Sequence, residues 1–530
     1  MKLRSLNTIG IVVLLGFFAV ASVRVLLRTR ADHDGSKVTL RFAHNQLQPG
    51  IREAFDEIAA DYMKLHPGVR VEQIAVPQRA WEAWLRTQLV GETAPDVIEI
   101  ATANDELLAR YFEPLTPWID SPNPYNASGP LAGVPWRTTF LDGLTNPPSY
   151  NPSLMEFYGV PTSITTIRLA CNTVLLREIT GSDRLPATYE EFMALCQATV
   201  AYAQRTRQTL SPISGSADSA SQILIRLFAS QTQRLGLKLD PFATLNISVR
   251  ESAPAYLRGT WSLHDPAVQD GLGLWRDMGA YIQPGFLQLK RDDAQFYFSQ
   301  GHALFIGVSS RDLEGVSAES PFPVVITDIP LPSHAHPRYG RNVLGTVSEA
   351  SKPLDGCFGL TRSSRHKDQA LDFMRFLTGE QSARKFARIG NRLPAISGIP
   401  VNPAVAGFLP MMTGATNGFG IHFGGYGGSN TRRLYDDNLH LLFAPDGGVA
   451  AFTAALEARY RETLIEDVTH MIKINRLNLL RTDTTHAAYR HLAEVGADPS
   501  AATKLSLLLE TQNQQEAEML QLRQVLTTAP

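Results

Sequence analysis

Apolar and polar residues alternate over 38–42 (Val-Thr-Leu-Arg-Phe), the period of a strand with one buried face. Ile51, Phe55, Ile58 and Tyr62 then recur at helical spacing, and His66-Pro67-Gly68 stops that helix. Alternation returns over 69–74. A second helix carries Trp81, Trp84, Leu85 and Leu89 and ends at Gly91, and Ala94-Pro95-Asp96 leads into an apolar strand over 97–100. This strand-helix-strand-helix-strand rhythm predicts a parallel sheet with helical crossovers. Ligands of such sheets sit at the carboxyl ends of the strands, so loops 43–50 and 101–106 are the first candidate ligand-contacting segments.

Further along, 164–169 alternates and reads as a strand, followed by a turn at Cys171-Asn172-Thr173. Thr188 is placed to cap a helix, with Glu191 three residues on completing a capping box. Helices are expected over 218–232 and 265–283, a buried strand over 303–308 and another strand over 323–331. Residues 345–356 read as a loop and 357–360 as a short strand. A helix then places Ala370, Phe373, Met374 and Leu377 on one face. Residues 403–428 are rich in Gly and aromatics, and 448–480 and 499–526 are helical by spacing. There is no internal repeat.

Composition narrows the function classes. With 530 residues, 44% hydrophobic and 19% charged, the chain is globular and long enough for two domains. A net charge of −2, with no basic cluster beyond Arg384-Lys385 and Arg432-Arg433, argues against a nucleic-acid partner. Lys2 and Arg4 precede an uncharged apolar run over 5–23, either an export signal or a membrane anchor. Arg24, Arg28 and Arg30 follow it at once, and an uncleaved anchor is the favoured assignment. Either way the body is expected on the far side of the cytoplasmic membrane. Cys171, Cys196 and Cys357 are too few for a disulfide scaffold and read as small buried residues, with one bridge between Cys171 and Cys196 left open.

Catalytic motifs are missing from the sequence. There is no HExxH, P-loop or CxxC, and Gly215-Ser216-Ala217 lacks the second glycine of a nucleophile elbow. His334-Ala335-His336 supplies too few ligands for a metal, and Asp292-Asp293 and Asp436-Asp437 read as surface residues or caps. The expectation is no enzyme, no cofactor and no metal.

Seven stretches, in order, carry a resemblance. They are His66-Pro67-Gly68-Val69; Trp84 to Leu89 with Ala94-Pro95-Asp96-Val97; Glu113-Pro114-Leu115; Tyr158-Gly159-Val160-Pro161 with Asn172; Pro186 to Phe192; Phe298 to Leu304; and Ala370 to Thr378. Across about residues 38–400 the chain resembles the extracellular solute-binding proteins of ABC transporters, in the sugar-binding branch that includes maltose-binding protein. The tail beyond about 460 is longer than that family needs. The resemblance implies an α/β, two-lobe periplasmic-binding-protein-like fold (type II), here with an N-terminal membrane segment and a helical C-terminal extension. Its expected layout is 1–36 as signal or anchor and linker, 37–162 with 345–400 as lobe one, 163–344 with 401–460 as lobe two, and 461–530 as the extension. It implies a monomer outside the cytoplasm, N-terminally anchored, that binds a carbohydrate in a hinged cleft and delivers it to ABC permease subunits. A membrane-tethered sensor or partner-docking protein reusing the fold is the alternative.

Sugars are held by polar groups on their hydroxyls and by aromatic faces. Candidate ligand residues are therefore His44, Asn45 and Gln46 after the first strand, and Thr102, Asn104 and Asp105 after the third. Thr165 lies on the crossing strand, Ser309 and Arg311 at a lobe-two strand end, and Phe423 and Tyr426 in the Gly-rich loop. Trp81, Trp84, Trp136 and Trp261 are candidate stacking rings, although Trp81 and Trp84, three apart on a helix, suit a core face equally well.

Overall fold

The computed structural model describes residues 38–528 apart from 49, 101–102, 104, 152–155, 241–246, 248, 351–353, 423–429 and 497–500. The apolar run at 5–23, expected to be a signal or anchor, lies outside the described residues. Among the described residues, no helix is long and apolar enough to cross a membrane.

The chain builds two principal sheets. The first contains β1 (Val38–His44), β2 (Val69–Ala75), β3 (Val97–Glu99), β6 (Val160–Ile164), β11 (Leu354–Leu360) and β12 (Leu393–Pro394), in the order β12-β6-β11-β3-β1-β2. β4 (Tyr150–Asn151) and β5 (Glu156–Phe157) form a small hairpin beside it. β1 runs parallel to β2 and β3, as the opening rhythm predicts, and β11 runs antiparallel to β3 and β6. The alternation in β1 sorts its side chains. Leu40 and Phe42 join Phe55, Phe358 and Phe373 on one face, with Phe42 4.7 Å from Phe358 between ring centroids. Ala43 joins Trp81, Leu85 and Leu89 of the helix Gln78–Val90 on the other.

The second sheet has the order β10-β7-β9-β8, from β7 (Ile167–Asn172), β8 (Ser211–Ser214), β9 (Ala303–Ser309) and β10 (Val324–Thr327). All seven residues of β9 are buried. Leu169, Cys171, Ile213 and Phe305 pack with the helices Tyr189–Thr206, Ala217–Gln231 and Pro266–Gly279. Asn172 caps the helix Thr173–Thr180 by accepting the Leu175 N–H at 3.1 Å, and Thr188 caps the next by accepting that of Glu191 at 3.2 Å. The three cysteines are buried free thiols.

The expected strand over 164–169 is two strands. β6 ends at Ile164 in the first sheet and β7 begins at Ile167 in the second, so Thr165-Thr166 is a crossing between them. Two further segments, around Glu349 and around Gly407–Leu409, also pass between the sheets. Arg168 ties all three. Its guanidinium pairs with both oxygens of Glu349 at 2.8 and 3.0 Å and donates to the carbonyls of Gly407 (3.1 Å), Leu409 (2.8 Å) and Ile167 (2.8 Å). Arg226 donates to Glu349 at 3.0 Å, and Glu349 also accepts the Met411 N–H at 3.0 Å. Arg168 is 2% exposed and Glu349 1% exposed.

The C-terminal helices Tyr460–Glu494 and Ala501–Thr528 form a hairpin whose base is built into the second sheet's core through Leu464, Val468, Leu522 and Val525. Buried Asp467 accepts the backbone N–H groups of Asn430 and Thr431 at 3.1 and 2.9 Å, which caps the start of the helix Asn430–Asn438. Farther out, Leu477, Leu480 and Leu520 are exposed.

Removing the charge of Glu349 leaves two buried guanidiniums without their shared anion. The substitution Glu349→Gln should lower unfolding free energy by about 3–5 kcal/mol. Urea denaturation followed by circular dichroism measures this, and an unchanged midpoint would show that the pair holds nothing together.

Candidate functional site

The carboxyl ends of β1 and β3 and the start of β11 meet at the end of the first sheet that faces the second. Glu99, the last residue of β3, accepts the Asn45 backbone N–H at 3.0 Å and the Gln46 side-chain amide at 3.3 Å. His44 accepts the Gln46 N–H on Nδ1 at 3.1 Å and meets Gln73 Oε1 through Nε2 at 3.1 Å. With Nδ1 accepting, the ring is neutral and carries its proton on Nε2. The backbone turns closely here. Gly356 has φ +61, and a Cβ there would lie 2.7 Å from the Gln46 amide nitrogen and 2.6 Å from Thr162 Oγ1.

Asp355 joins this cluster to the second sheet. It accepts Thr165 Oγ1 at 2.8 Å and Arg311 Nη1 at 2.9 Å. Thr165 lies on the first crossing, and Arg311 follows the end of β9. Ser309 donates to Asp312, which also pairs with Arg291 at the start of the helix Arg291–Ser299.

Burial sets the charge states. It pushes the Glu99 carboxyl up to about 7, an effect that the nearby Asp355 charge strengthens and the Asn45 N–H and Arg311 moderate. It pushes the His44 imidazole down to about 4. Near neutral pH, His44 is therefore uncharged, and Glu99 takes up a proton far more readily than a solvated carboxylate. The fixed charges of the cluster are Asp355 and Arg311, which neutralise each other.

The structure brings His44, Asn45, Gln46, Thr165, Ser309 and Arg311 to this meeting of strand ends. It does not bring the tryptophans. Trp81 is 1% exposed in the core behind β1 and stacks on half-buried Trp84 at 5.3 Å. Trp136 is 0% exposed, donates to Thr378 Oγ1 at 3.0 Å and lies beneath Arg375. Trp261 donates to the Ser252 carbonyl at 2.7 Å and packs edge-on against Phe419 in the second core. Large rings bury more apolar area than any other side chain, and these three serve the cores. Asp105 begins the helix Asp105–Tyr111. Thr102, Asn104, Phe423 and Tyr426 lie outside the described residues.

Sequence reasoning passed over Glu99 and Asp355. Glu99 carried a usable signal, as an acid inside an otherwise apolar strand (Val97-Ile98-Glu99-Ile100). Asp355 carried none, because its strand begins in a stretch that reads as loop.

Residues 57–407, more than half of the chain, match the family of bacterial extracellular solute-binding proteins. No curated protein matches the sequence. Among solved structures, the apo form of RafE from Streptococcus pneumoniae is similar at 17% identity, with TM-score 0.55, covering 81% of this chain and 98% of that one. A chitin oligosaccharide binding protein is similar at 15% identity and TM-score 0.54, covering 81% and 99%. The GacH receptor of Streptomyces glaucescens is similar at 16% identity and TM-score 0.54, covering 81% and 98%. At these identities the likeness establishes the fold. Members of the matched family are non-enzymatic receptors that bind solutes outside the cytoplasm. With its match over 57–407, this chain belongs to the bacterial extracellular solute-binding protein family.

Proposed function

We propose that the protein binds a carbohydrate between its two lobes and delivers it to an ABC permease. The observation that carries this is the strand-end cluster, in which Asp355 accepts hydrogen bonds both from Thr165 on the crossing and from Arg311 beyond it. His44, Asn45, Gln46, Glu99, Thr165, Ser309, Arg311 and Asp355 form a set of donors and acceptors with little net charge, the chemistry that suits a neutral polyhydroxylated solute. Similar folds support the sugar class, since RafE is solved with raffinose and GacH with acarbose. In this reading lobe one spans 37–162 with 345–400 and lobe two 163–344 with 401–460, the lobes close on the solute, and the protein works as a monomer. The basic and apolar N-terminus tethers the body to the outer face of the cytoplasmic membrane. One observation favours a partner-docking role beside transport. The family match ends at 407, and the hairpin after residue 460 exposes Leu477, Leu480 and Leu520.

A thermal-shift screen against raffinose, acarbose and chitooligosaccharides, with amino acids and metal ions as controls, should raise the melting temperature with one sugar class only. Asp355→Ala should then weaken that sugar by about tenfold or more, read by calorimetry, with the fold intact. A shift with amino acids and none with sugars overturns the carbohydrate assignment.

The two buried titrating groups act with opposite sign. Folding raises the Glu99 value from 4.5 to about 7, so the folded state holds an extra proton in that window and stability falls as pH rises through it. Folding lowers His44 from 6.5 to about 4, so stability is lost as pH falls through that window. Each amounts to about 3 kcal/mol, and between 4.5 and 6.5 they offset. Glu99→Gln should therefore stabilise the protein at pH 7–8 and uncover a steady loss on acidification from 6.5 to 4. Denaturant titrations across pH measure this, and parallel profiles for variant and wild type would refute it.

A further inference from the structure

Two ion pairs stand where the halves built on the two sheets meet, and they are held differently. Arg168 and Glu349 pair at the crossings with 2% and 1% of their side chains exposed. Arg311 and Asp355 pair beyond them at 2.9 Å with 25% and 22% exposed. Arg311 follows β9 of the second sheet, and Asp355 lies near the start of β11 of the first. Parting a buried pair strands two charges out of water, so the first pair is a fixed joint. Water reaches the second pair and can hydrate each partner in place of the other, so that pair can open and re-form.

A third charge stands beside this second pair. Arg392, 4% exposed, comes from the first sheet's half, just before β12. Its Nη1 donates to the Arg311 carbonyl at 3.1 Å. The Arg311 charge weakens its hold on its proton and the Asp355 charge strengthens it, so both lie within its electrostatic reach. Glu314, on the helix Leu313–Glu319, acts on it more weakly and does not bond it. Among the described residues, Asp355 is the carboxylate bonded to Arg311, and none is bonded to Arg392. Two guanidiniums, one from each half, therefore face each other with one bonded carboxylate between the halves. Like charges across a part-buried junction repel more than they would in bulk water. Asp355 offsets that repulsion, and Thr165 on the first crossing holds its carboxylate in place through a 2.8 Å hydrogen bond.

We propose that Arg311, Asp355 and Arg392 form an electrostatic latch that sets how far apart the two halves stand in the ligand-free protein, with Asp355 as the counter-ion that keeps the two guanidiniums together. The latch rests on the two-lobe reading and adds a control on the solute site. A solute that needs the halves together binds in proportion to the fraction of molecules already latched. The charges fix the sign of each change. Without the Asp355 charge the junction repels. Without the Arg311 charge it neither attracts nor repels. Without the Arg392 charge the attraction alone remains.

The test uses the full chain without solute, spin-labelled at Val90→Cys on the first sheet's half and Leu237→Cys on the second's, both exposed positions. The three native cysteines are buried, which leaves labelling to the added ones. Pulsed electron resonance then reads the distribution of distances between the halves. Asp355→Asn should raise the population at longer separation by about threefold. Arg311→Gln should raise it less, and Arg392→Gln should not raise it. Salt gives a signature that a merely structural role would not show. Between about 0.05 and about 1 M sodium chloride, screening should lengthen the wild-type distances, by weakening attraction, and shorten those of Asp355→Asn, by weakening repulsion. Salt responses of the same sign in the two proteins overturn the proposal, as does an Asp355→Asn distribution equal to that of the wild type. Should Asp355→Asn fail to fold, the order of Arg311→Gln, wild type and Arg392→Gln decides, and equal distributions in all three overturn the latch. A wild type with one fixed distance under every salt and solute condition removes the two-lobe reading and the latch with it. A wild type that moves but binds no sugar removes the carbohydrate reading alone.

Discussion

Arg168 and Glu349 hold the crossings of the chain in one place. Three separate passages run between the two sheets: the first leads into Arg168, the second carries Glu349, and the third gives the Gly407 and Leu409 carbonyls to Arg168 and the Met411 N–H to Glu349. Taking these charges out of water is expensive, and the pair is sustained only because the surrounding bonds are filled. Arg226 adds a second cation, with its pKa held below the usual arginine range by burial. Asp328, half exposed, pairs with Arg168 at 2.8 Å and restores the balance to two cations and two carboxylates. An apolar plug could have packed such a junction at lower cost. What it could not do is fix the relative heights of three strands by directional bonds.

Those heights decide where the strand ends lie. Thr165, two residues before the β7 strand that carries Arg168, meets Asp355 only because the crossings keep β6 and β11 in register, with Ser163 opposite Asp355. Glu99 reaches the same end of the sheet through the pairing of β3 with β11. Here burial works differently from its effect at the crossings. It disfavours charge rather than pairing it, holding His44 uncharged and pushing the Glu99 carboxyl up to about 7.

Periodicity made the first sheet legible. The alternation in β1 and the helical spacing of Ile51, Phe55, Ile58 and Tyr62 correspond to the faces that pack, and the ordered stretches matched a family that the profile over 57–407 also marks. The single strand read over 164–169 shows the limit of that signal. Both halves alternate, and nothing local says that the chain changes sheets at Thr165-Thr166. The tryptophans show a second limit. A ring can serve a core or a ligand, and the sequence does not say which neighbours will surround it. Trp136 and Trp261 went to the cores because Thr378 and the Ser252 carbonyl satisfy their N–H groups there. Asp355 went unnoticed because its role depends on Arg311, 44 residues away in the chain.

Arg168 and Arg392 are the same residue type at nearly the same burial, and their surroundings differ. Arg168 sits among carbonyls and carboxylates that match its donors. Arg392 bonds one carbonyl, keeps Nη2 unpartnered, and has its pKa lowered to about 10 by burial and by the neighbouring Arg311 charge. A guanidinium held that way is a standing cost in the folded state, offset in part by its bond to the Arg311 carbonyl. With Trp81, Trp136 and Trp261 committed to the cores, the described strand ends present hydrogen-bonding groups. Hydrogen-bonding sites discriminate more sharply than apolar ones, because a wrong ligand leaves buried groups unpaired. Arg392 Nη2 and Ser310 Oγ each lack a hydrogen-bond partner, although Arg392 reaches the segment that carries Ser310 through the Arg311 carbonyl.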